Sequence, residues 1–321
     1  MFFRIILVFA ISIIFSVSGI TQELTKLRYL PHWLPQAQFA GYYIALEKGI
    51  YEKYGLDVEI QTGGPICPSI SELKKNKCDI VSMFLSGAIK SENKGVKLVD
   101  FCQLSKRSAL MFISKKKSGI TKPKDLNGKK IGIWRSDFQE LPRGFLKKYN
   151  VDATIVPITN TVNLFYYDGV DVVCVMWYNE YHQILNFGIN VDELDVFFFT
   201  DYGLNFPEDG IFCTEEFYKN NEKACQDFAK ATLEGWKYAF EHKDESIALV
   251  IKYMQEANVP ANIPHQKWMF NRMHDVFILG NDKLNGELLE EDFLKTAKIL
   301  LECKKINSIP DFDDFNKTLQ K

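Results

Sequence analysis

The sequence predicts an α/β fold of two lobes followed by a helical C-terminal part. Short apolar runs of strand length alternate with amphipathic helical stretches between residues 25 and 200, which is the pattern of strand–helix–strand crossovers in a layered fold. The run 170–175, interrupted by Asp171, indicates a central strand that is covered on both faces. A length of 321 residues also favours two domains, at roughly 150 residues each.

Residues 1–20 are predicted to be a cleaved secretory signal peptide. Arg4 supplies positive charge, the run 5–17 is almost wholly apolar, and 17–19 offers small residues for cleavage. The run is short for a membrane span, which needs about 20 apolar residues, although an uncleaved anchor is an alternative. We therefore expect a protein that is exported to the periplasm or secreted.

The stretch 29–60 is predicted to form a strand, a loop, a helix, a turn and a second strand. Trp33 lies in the loop between two prolines, and Phe39, Tyr42 and Tyr43 follow at helical spacing, so that they share one broad face. Open α/β sheets bind ligands where the carboxyl end of a strand passes into a helix. We expect these four aromatic residues to line a ligand site, and the alternative is that they belong to the core.

The elements after residue 60 continue this alternation. Gly63 lies in a turn, Ser86 begins a helix directly after a strand, and Lys115–Lys117 break the apolar pattern where the chain is expected to leave lobe one. Predicted strands cover 79–83, 96–104, 109–114, 131–134, 153–157, 170–175, 196–200 and 211–213. Predicted helices cover 70–75, 138–149, 162–167, 178–187, 223–241, 244–256, 266–279 and 290–304.

The order of these elements divides the mature chain into two lobes. Lobe one is expected to consist of residues 21–111 together with 212–321, and lobe two of residues 112–211. The chain would then cross between the lobes twice, and two crossings make a hinge. Closure of hinged lobes around a ligand is a common mode of domain motion.

Composition argues against several classes of function. A formal net charge of −2 disfavours a nucleic-acid partner, because phosphate binding needs a basic surface. The five His residues are scattered without the spacing of metal ligands. No phosphate-binding loop, dinucleotide fingerprint or nucleophile elbow occurs in the sequence. We therefore expect no metal, no cofactor and no catalytic residue.

The seven Cys residues are expected to be mostly buried thiols. Their spacing contains no C-x-x-C motif, and Cys174 lies within an apolar run, where Cys behaves as a small hydrophobic residue. An odd number leaves at least one thiol unpaired in an oxidising compartment. The sequence assigns no disulfide.

Five stretches of the chain resemble the NMT1/THI5-like family of substrate-binding proteins, which is related to the sulfonate- and pyrimidine-precursor-binding components of ABC importers. The resemblance covers nearly the whole mature chain and depends on the order and spacing of these stretches. It implies a type II periplasmic-binding fold with the ligand in the cleft between the lobes. The five stretches are 33–58, 77–80, 118–132, 169–173 and 178–181.

The same family contains fungal enzymes that build the thiamin pyrimidine from their own pyridoxal-phosphate-linked active site. That chemistry needs a Lys that holds the cofactor as a Schiff base, with a His nearby. In this chain the Lys position falls on Met83 and the His position on Gly87. The Cys-rich iron-binding run of those enzymes corresponds here to 205–213, which has a single Cys. The resemblance therefore does not imply synthase activity for this chain.

The expected cleft suits a small heteroaromatic ligand. Trp33 of lobe one and Trp134 of lobe two occupy matching strand-end positions and could stack on a flat ring. Tyr178, Asn179 and Glu180 follow the central strand of lobe two, where the Glu180 carboxylate could accept two hydrogen bonds from an aminopyrimidine edge. Glu180 could equally cap its own helix.

Two further residues complete the predicted ligand site. Ser86 could offer its hydroxyl and the neighbouring backbone N–H groups to an oxygen of the ligand. Glu208 lies beside the expected return crossing, where it could either contact the cleft or be exposed to solvent.

The function expected from these observations is ligand capture for import. The protein would act as a monomer that binds a ligand resembling a thiamin-pyrimidine precursor and delivers it to the membrane subunits of an ABC transporter. The alternatives are a pyrimidine synthase and a sensing module that acts through a separate signalling partner.

Overall fold

The computed structural model describes residues 23–134, 138–159, 161–280 and 283–319. The predicted signal peptide, residues 1–20, lies outside the described residues. Within these ranges, no helix combines the length and the apolarity that crossing a bilayer requires.

The described residues form ten strands in two five-stranded sheets. The strands are β1 (Thr25–Leu30), β2 (Leu56–Ile60), β3 (Ile80–Met83), β4 (Leu98–Gln103), β5 (Leu110–Lys115), β6 (Lys130–Trp134), β7 (Thr154–Ile158), β8 (Val172–Met176), β9 (Leu194–Phe198) and β10 (Gly210–Thr214). Their order is β2-β1-β3-β10-β4 in one sheet and β7-β6-β8-β5-β9 in the other. The predicted α/β class with two sheets is confirmed.

Each sheet is mixed, with parallel strands at one side and antiparallel pairs at the other. In the sheet of lobe one, β1 pairs in parallel with β2 and β3, whereas β10 runs antiparallel to β3 and β4. The sheet of lobe two repeats this plan, since β6 is parallel to β7 and β8, and β5 is antiparallel to β8 and β9. The chain passes between the sheets at 104–109 and again at 199–209.

Helices cover both sheets. They are α1 (Ala40–Glu47), α2 (Ile50–Lys53), α3 (Ser69–Lys74), α4 (Leu85–Asn93), α5 (Glu140–Lys148), α6 (Asn163–Tyr166), α7 (Glu180–Asn186), α8 (Glu215–Glu241), α9 (Lys243–Glu256), α10 (Ile263–Phe277), α11 (Glu290–Glu302) and α12 (Phe312–Phe315). The predicted C-terminal helical part is confirmed by α8 to α11.

Helix α8 differs from its predicted bounds for an identifiable reason. Helix α8 starts at Glu215, eight residues before the predicted start at 223, because Thr214 caps it by accepting a hydrogen bond from the Phe217 N–H. The sequence signal was interrupted by Asn221, whose backbone is non-helical and kinks the helix. In α5, Pro142 lies in the first turn, where a missing N–H leaves no helical hydrogen bond unmade.

The aromatic face of α1 packs inward against α8 rather than towards the cleft. Gly41 and Gly235 let the two helices approach closely: a Cβ on Gly235 would lie 2.4 Å from the Gly41 carbonyl oxygen. Tyr42 lies beside Trp236, with ring centroids 6.4 Å apart, and Tyr43 stacks on Tyr253 at 4.1 Å. These contacts assign the α1 aromatic residues to the core, the alternative that the sequence had left open.

Five of the seven Cys residues are buried. Cys67 and Cys303 are partly exposed, and all seven thiols are free.

Candidate ligand-binding site

A cavity of about 420 Å³ lies between the two sheets. This volume is within the range of pockets that hold small organic ligands. Lobe one contributes His32, Trp33, Gln36, Gln38, Pro65 and Phe84; lobe two contributes Trp134, Phe138, Ile158, Thr159, Met176, Tyr178, Asn179 and Glu180.

The loop that carries Trp33 is held in place from two sides. Its His32 N–H donates to the Ser82 hydroxyl oxygen of β3 at 3.0 Å. On the other side, the chain at Gly63 passes so close that a Cβ there would lie 1.8 Å from the Pro31 carbonyl oxygen and 2.7 Å from that of Trp33. Gly63 does not line the cavity, and its role in the structure is to let the indole loop pack.

Aromatic rings from both lobes form one wall of the cavity. Phe138, at the start of the segment leading into α5, makes edge contacts with three rings: Trp33 at 6.3 Å, Trp134 at 5.4 Å and Phe84 at 5.0 Å between centroids. Trp33 and Trp134 therefore face the same cavity, as the sequence predicted. Phe138 and Phe84 were not predicted, although each follows closely after a strand end, as Trp33 does.

The floor of the cavity is a buried polar network centred on Gln38. Its side-chain nitrogen lies 2.9 Å from Asp209 Oδ1, 3.1 Å from the Tyr178 hydroxyl oxygen and 3.3 Å from His32 Nε2. An amide nitrogen has two hydrogens, so these three partners share two donors. Burial lowers the pKa of His32 to about 4, which keeps the ring neutral near pH 7. Because Gln38 belongs to lobe one and Tyr178 to lobe two, the network also joins the lobes.

Glu180 both lines the cavity and contacts its own helix start. Its Oε2 accepts from the Met176 N–H at 3.1 Å, and its Oε1 accepts from the Asn179 side-chain amide at 3.0 Å. Burial raises its pKa to about 7. Met176 ends β8 and Asn179 donates through its side chain, so these two bonds hold Glu180 at the strand end and neither is a bond to a backbone N–H of α7.

The structure corrects the positions of six predicted ligand residues, which do not line the cavity. Phe39, Tyr42, Tyr43 and Ser86 are buried within lobe one, and Gly63 supports the indole loop. Glu208 is buried between the crossings, where its carboxylate accepts from the Ser108 hydroxyl at 2.5 Å and from the Ala109 N–H at 3.1 Å. The burial of these residues could not be predicted from the sequence, because it depends on which distant elements cover each residue.

Met83 and Gly87 also lie away from the cavity surface. Met83 ends β3 and is buried, and Gly87 is in the first turn of α4. Among the described residues that line the cavity there is no Lys whose amine could form a Schiff base.

Glu208 gives a pH-dependent prediction for stability. Burial raises its pKa to about 8, well above an unfolded value near 4.3. A raised carboxyl pKa means that the stability Glu208 contributes is full below about pH 4 and is lost as pH rises to 8. The Tm of the Glu208→Gln variant should therefore fall less than the Tm of the parent as pH rises from 5 to 8. Thermal unfolding across this range measures the difference; parallel curves for the two proteins would contradict it.

Comparisons with known proteins agree with this architecture. A family model described as NMT1/THI5 like matches residues 36–246. Among solved structures, the periplasmic aliphatic sulphonate binding protein SsuA of Escherichia coli superposes with a TM-score of 0.71 at 18% identity, covering 90% of this chain and 96% of that one. The fold is thus that of the periplasmic binding proteins.

Two curated relatives match parts of the sequence. The riboflavin-binding protein RibY of Chloroflexus aurantiacus is 23% identical over 239 residues, which cover 71% of this chain and 66% of the relative. The arginine-binding extracellular protein ArtP of Bacillus subtilis is 34% identical over 100 residues, 31% of this chain and 37% of the relative. In both cases the match spans less than two thirds of the relative's length.

Proposed function

Because this chain belongs to the NMT1/THI5-like family, we propose that it is an exported solute-binding protein that captures a small, flat heteroaromatic ligand between its lobes for an ABC importer. The observation that carries the proposal is the cavity itself, which presents an indole from each lobe, Trp33 and Trp134, with a carboxylate, Glu180, beside them. Stacking faces with a few convergent polar groups are what a heteroaromatic ligand needs.

The ligand that fits these groups best carries hydrogen-bond donors on its edge, as an aminopyrimidine of the thiamin pathway does. Glu180 supplies acceptor oxygens at the cavity surface, whereas the Asn179 side-chain oxygen already faces His265 and Gln183. The described lining residues include no Lys or Arg, so within this part of the chain a sulfonate would find no cationic partner. Riboflavin and arginine, which the names of the two curated relatives mention, are the alternatives to test.

In transport, the two lobes would close around the ligand. We take residues 21–111 with 212–321 as lobe one and 112–211 as lobe two; the chain crosses between the two sheets at 104–109 and 199–209, just before each of these boundaries. Ligand that contacts both lobes favours the closed form by its differential affinity, and the membrane subunits would recognise that form. The protein would act as a monomer in this role, and a separate signalling partner could use the same closure for sensing.

A pyrimidine synthase is the less favoured function. Its cofactor Lys and active-site His correspond to Met83 and Gly87, which cannot form a Schiff base or transfer a proton. Incubation with pyridoxal phosphate should accordingly give no Schiff-base absorbance band; a band that disappears on replacement of one Lys would support the synthase.

The proposed function predicts selective binding in calorimetric titrations. The aminopyrimidine 4-amino-5-hydroxymethyl-2-methylpyrimidine should bind one to one at micromolar or lower Kd, and an alkanesulfonate and arginine at least tenfold more weakly. Small-angle scattering should show a smaller radius of gyration with ligand, because the lobes close. Tight sulfonate binding with no response to the pyrimidine would contradict the ligand class, and no binding of any of the compounds, riboflavin included, would contradict solute capture.

A further inference from the structure

Helix α10 contacts both lobes at the edge of the cavity. On the side of lobe one, the side-chain oxygen of its Gln266 accepts from the Ala37 N–H at 2.8 Å in a buried position. On the side of lobe two, the indole N–H of its Trp268 donates to the Trp177 carbonyl oxygen at 3.0 Å. Since the Trp177 carbonyl lies just before the cavity residues Tyr178 to Glu180, α10 is fixed directly behind the ligand wall of lobe two.

His265, near the start of α10, extends this contact to the cavity residues themselves. Its Nε2 lies 3.0 Å from the Asn179 side-chain oxygen, and the Asn179 side-chain nitrogen donates to Glu180 Oε1 at 3.0 Å. Asn179 and Glu180 line the cavity, whereas His265 does not. The shortest path of hydrogen bonds from His265 to the cavity therefore passes through Asn179.

The hydrogen bonds form a chain with one consistent direction. The Asn179 nitrogen donates to Glu180, so its oxygen faces His265, and His265 must carry its proton on Nε2. That leaves His265 Nδ1 as an acceptor for His182 Nδ1, which is 2.9 Å away; in this direction the Asn186 side-chain nitrogen, 3.3 Å from His182 Nδ1, finds no acceptor there. The chain thus runs from His182 through His265 and Asn179 to the Glu180 carboxylate. The two imidazole rings are stacked, and the His182 ring is also stacked on Trp268.

We propose that His265 is a positioning residue of the ligand site: from α10 it fixes the side chain of Asn179, and through it Glu180, and so makes ligand affinity depend on the contact of α10 with lobe two. This inference rests on the proposed function. We call the contact of His265 and Trp268 of α10 with Asn179 and Trp177 of lobe two the α10 clasp. The clasp would be intact when the lobes are closed and would separate when they open, because its two sides belong to different lobes.

Protonation of His265 acts only on the end of the chain far from the cavity. A proton added to Nδ1 makes that atom a donor, so its bond to His182 persists only if His182 carries its own proton on Nε2, whereas the bond from His265 Nε2 to Asn179 is kept. Burial and the neighbouring His182 lower the pKa of His265 to about 4, so the chain is intact at pH 7. Charged groups of the described residues near the clasp include Glu180 of α7, the Arg272 guanidinium, which lies over the Trp268 ring at 4.9 Å, and the Lys267–Asp244 ion pair at 3.1 Å.

A set of three substitutions at His265 separates positioning from bulk packing. His265→Gln keeps a donor near the position of Nε2 and should bind the pyrimidine within about threefold of the parent. His265→Asn, whose amide is too short to reach Asn179, and His265→Leu, which has no donor, should each weaken binding about tenfold at pH 7. Calorimetry measures these affinities, and thermal unfolding measures whether each variant folds. Equal affinity of all three variants and the parent would overturn the inference.

A double-mutant cycle with Asn179 gives the decisive readout. Because His265 acts through Asn179, His265→Leu should weaken binding by less than twofold when Asn179 is already Ala. The same tenfold loss in both backgrounds would show a merely structural role and overturn the positioning claim. If the parent protein binds the pyrimidine and His265→Leu binds it equally well, this inference alone is contradicted. Parent protein that binds none of the compounds contradicts the proposed function, and this inference with it.

Discussion

Replacing Trp33 by Ala is expected to weaken ligand binding by about 10- to 100-fold, since stacking of a flat ring on an aromatic side chain contributes about 1–3 kcal/mol and each tenfold change in Kd corresponds to about 1.4 kcal/mol. The indole is only partly buried, and its ring neighbour is Phe138 at 6.3 Å rather than a close-packed core. The free energy of unfolding should therefore change by about 1 kcal/mol or less.

Calorimetry and urea unfolding of the same Trp33→Ala sample test both parts of this prediction. Phe187→Ala is a suitable control, because Phe187 is an exposed aromatic residue of lobe two outside the cavity, and its loss should leave affinity unchanged. Unchanged affinity combined with a loss of several kcal/mol in stability would show that Trp33 belongs to the core.

Gly63→Ala is expected to reduce affinity as much as Trp33→Ala does, although residue 63 does not line the cavity. The added Cβ would lie 1.8 Å from the Pro31 carbonyl oxygen. Backbone cannot rotate out of the way as a side chain can, so the loop that carries Trp33 must move. Such overpacking typically costs about 1–3 kcal/mol of stability, and the displaced indole should cost binding in addition.

Gly95→Ala is the matched control for this substitution. Gly95 has a positive φ of 81° and no atom within 4 Å of an added Cβ, so its replacement imposes left-handed strain of about 1 kcal/mol without a clash. It should lower Tm slightly and leave affinity as in the parent. Parental affinity in Gly63→Ala would mean that the indole loop does not depend on this close approach.

The strands, the two sheets and part of the candidate site could be predicted from the sequence. Strand alternation and the strand-end rule led to Trp33, Trp134, Tyr178, Asn179 and Glu180, all of which line the cavity. These predictions needed only local information, namely where a strand ends and which residues come directly after it.

The aromatic residues of α1 show why the rest could not be predicted. Helical spacing puts Phe39, Tyr42 and Tyr43 on one face, yet it does not say what covers that face. The cover is α8, with Trp236, and α9, with Tyr253, about 200 residues further along the chain. Only the tertiary arrangement distinguishes a core-facing aromatic stripe from a ligand-facing one.

Gln38 and His265 were missed for a related reason. A lone Gln in a helical segment and a lone His near a helix start carry no sequence signal of their own. Each becomes significant through partners in distant segments, Asp209 and Tyr178 for Gln38 and Asn179 for His265. Polar networks that join two lobes are thus harder to predict than aromatic residues at strand ends.

The most direct test of the central claim is ¹⁹F NMR of protein labelled with 5-fluorotryptophan. The sequence has five Trp residues, at 33, 134, 177, 236 and 268, and single Trp→Phe variants assign their resonances. If the ligand is held between an indole from each lobe, titration with 4-amino-5-hydroxymethyl-2-methylpyrimidine should shift the Trp33 and Trp134 resonances together, with saturation at one ligand per protein, and leave the core residue Trp236 unmoved. Saturable binding that leaves the Trp33 and Trp134 resonances in place would contradict the account.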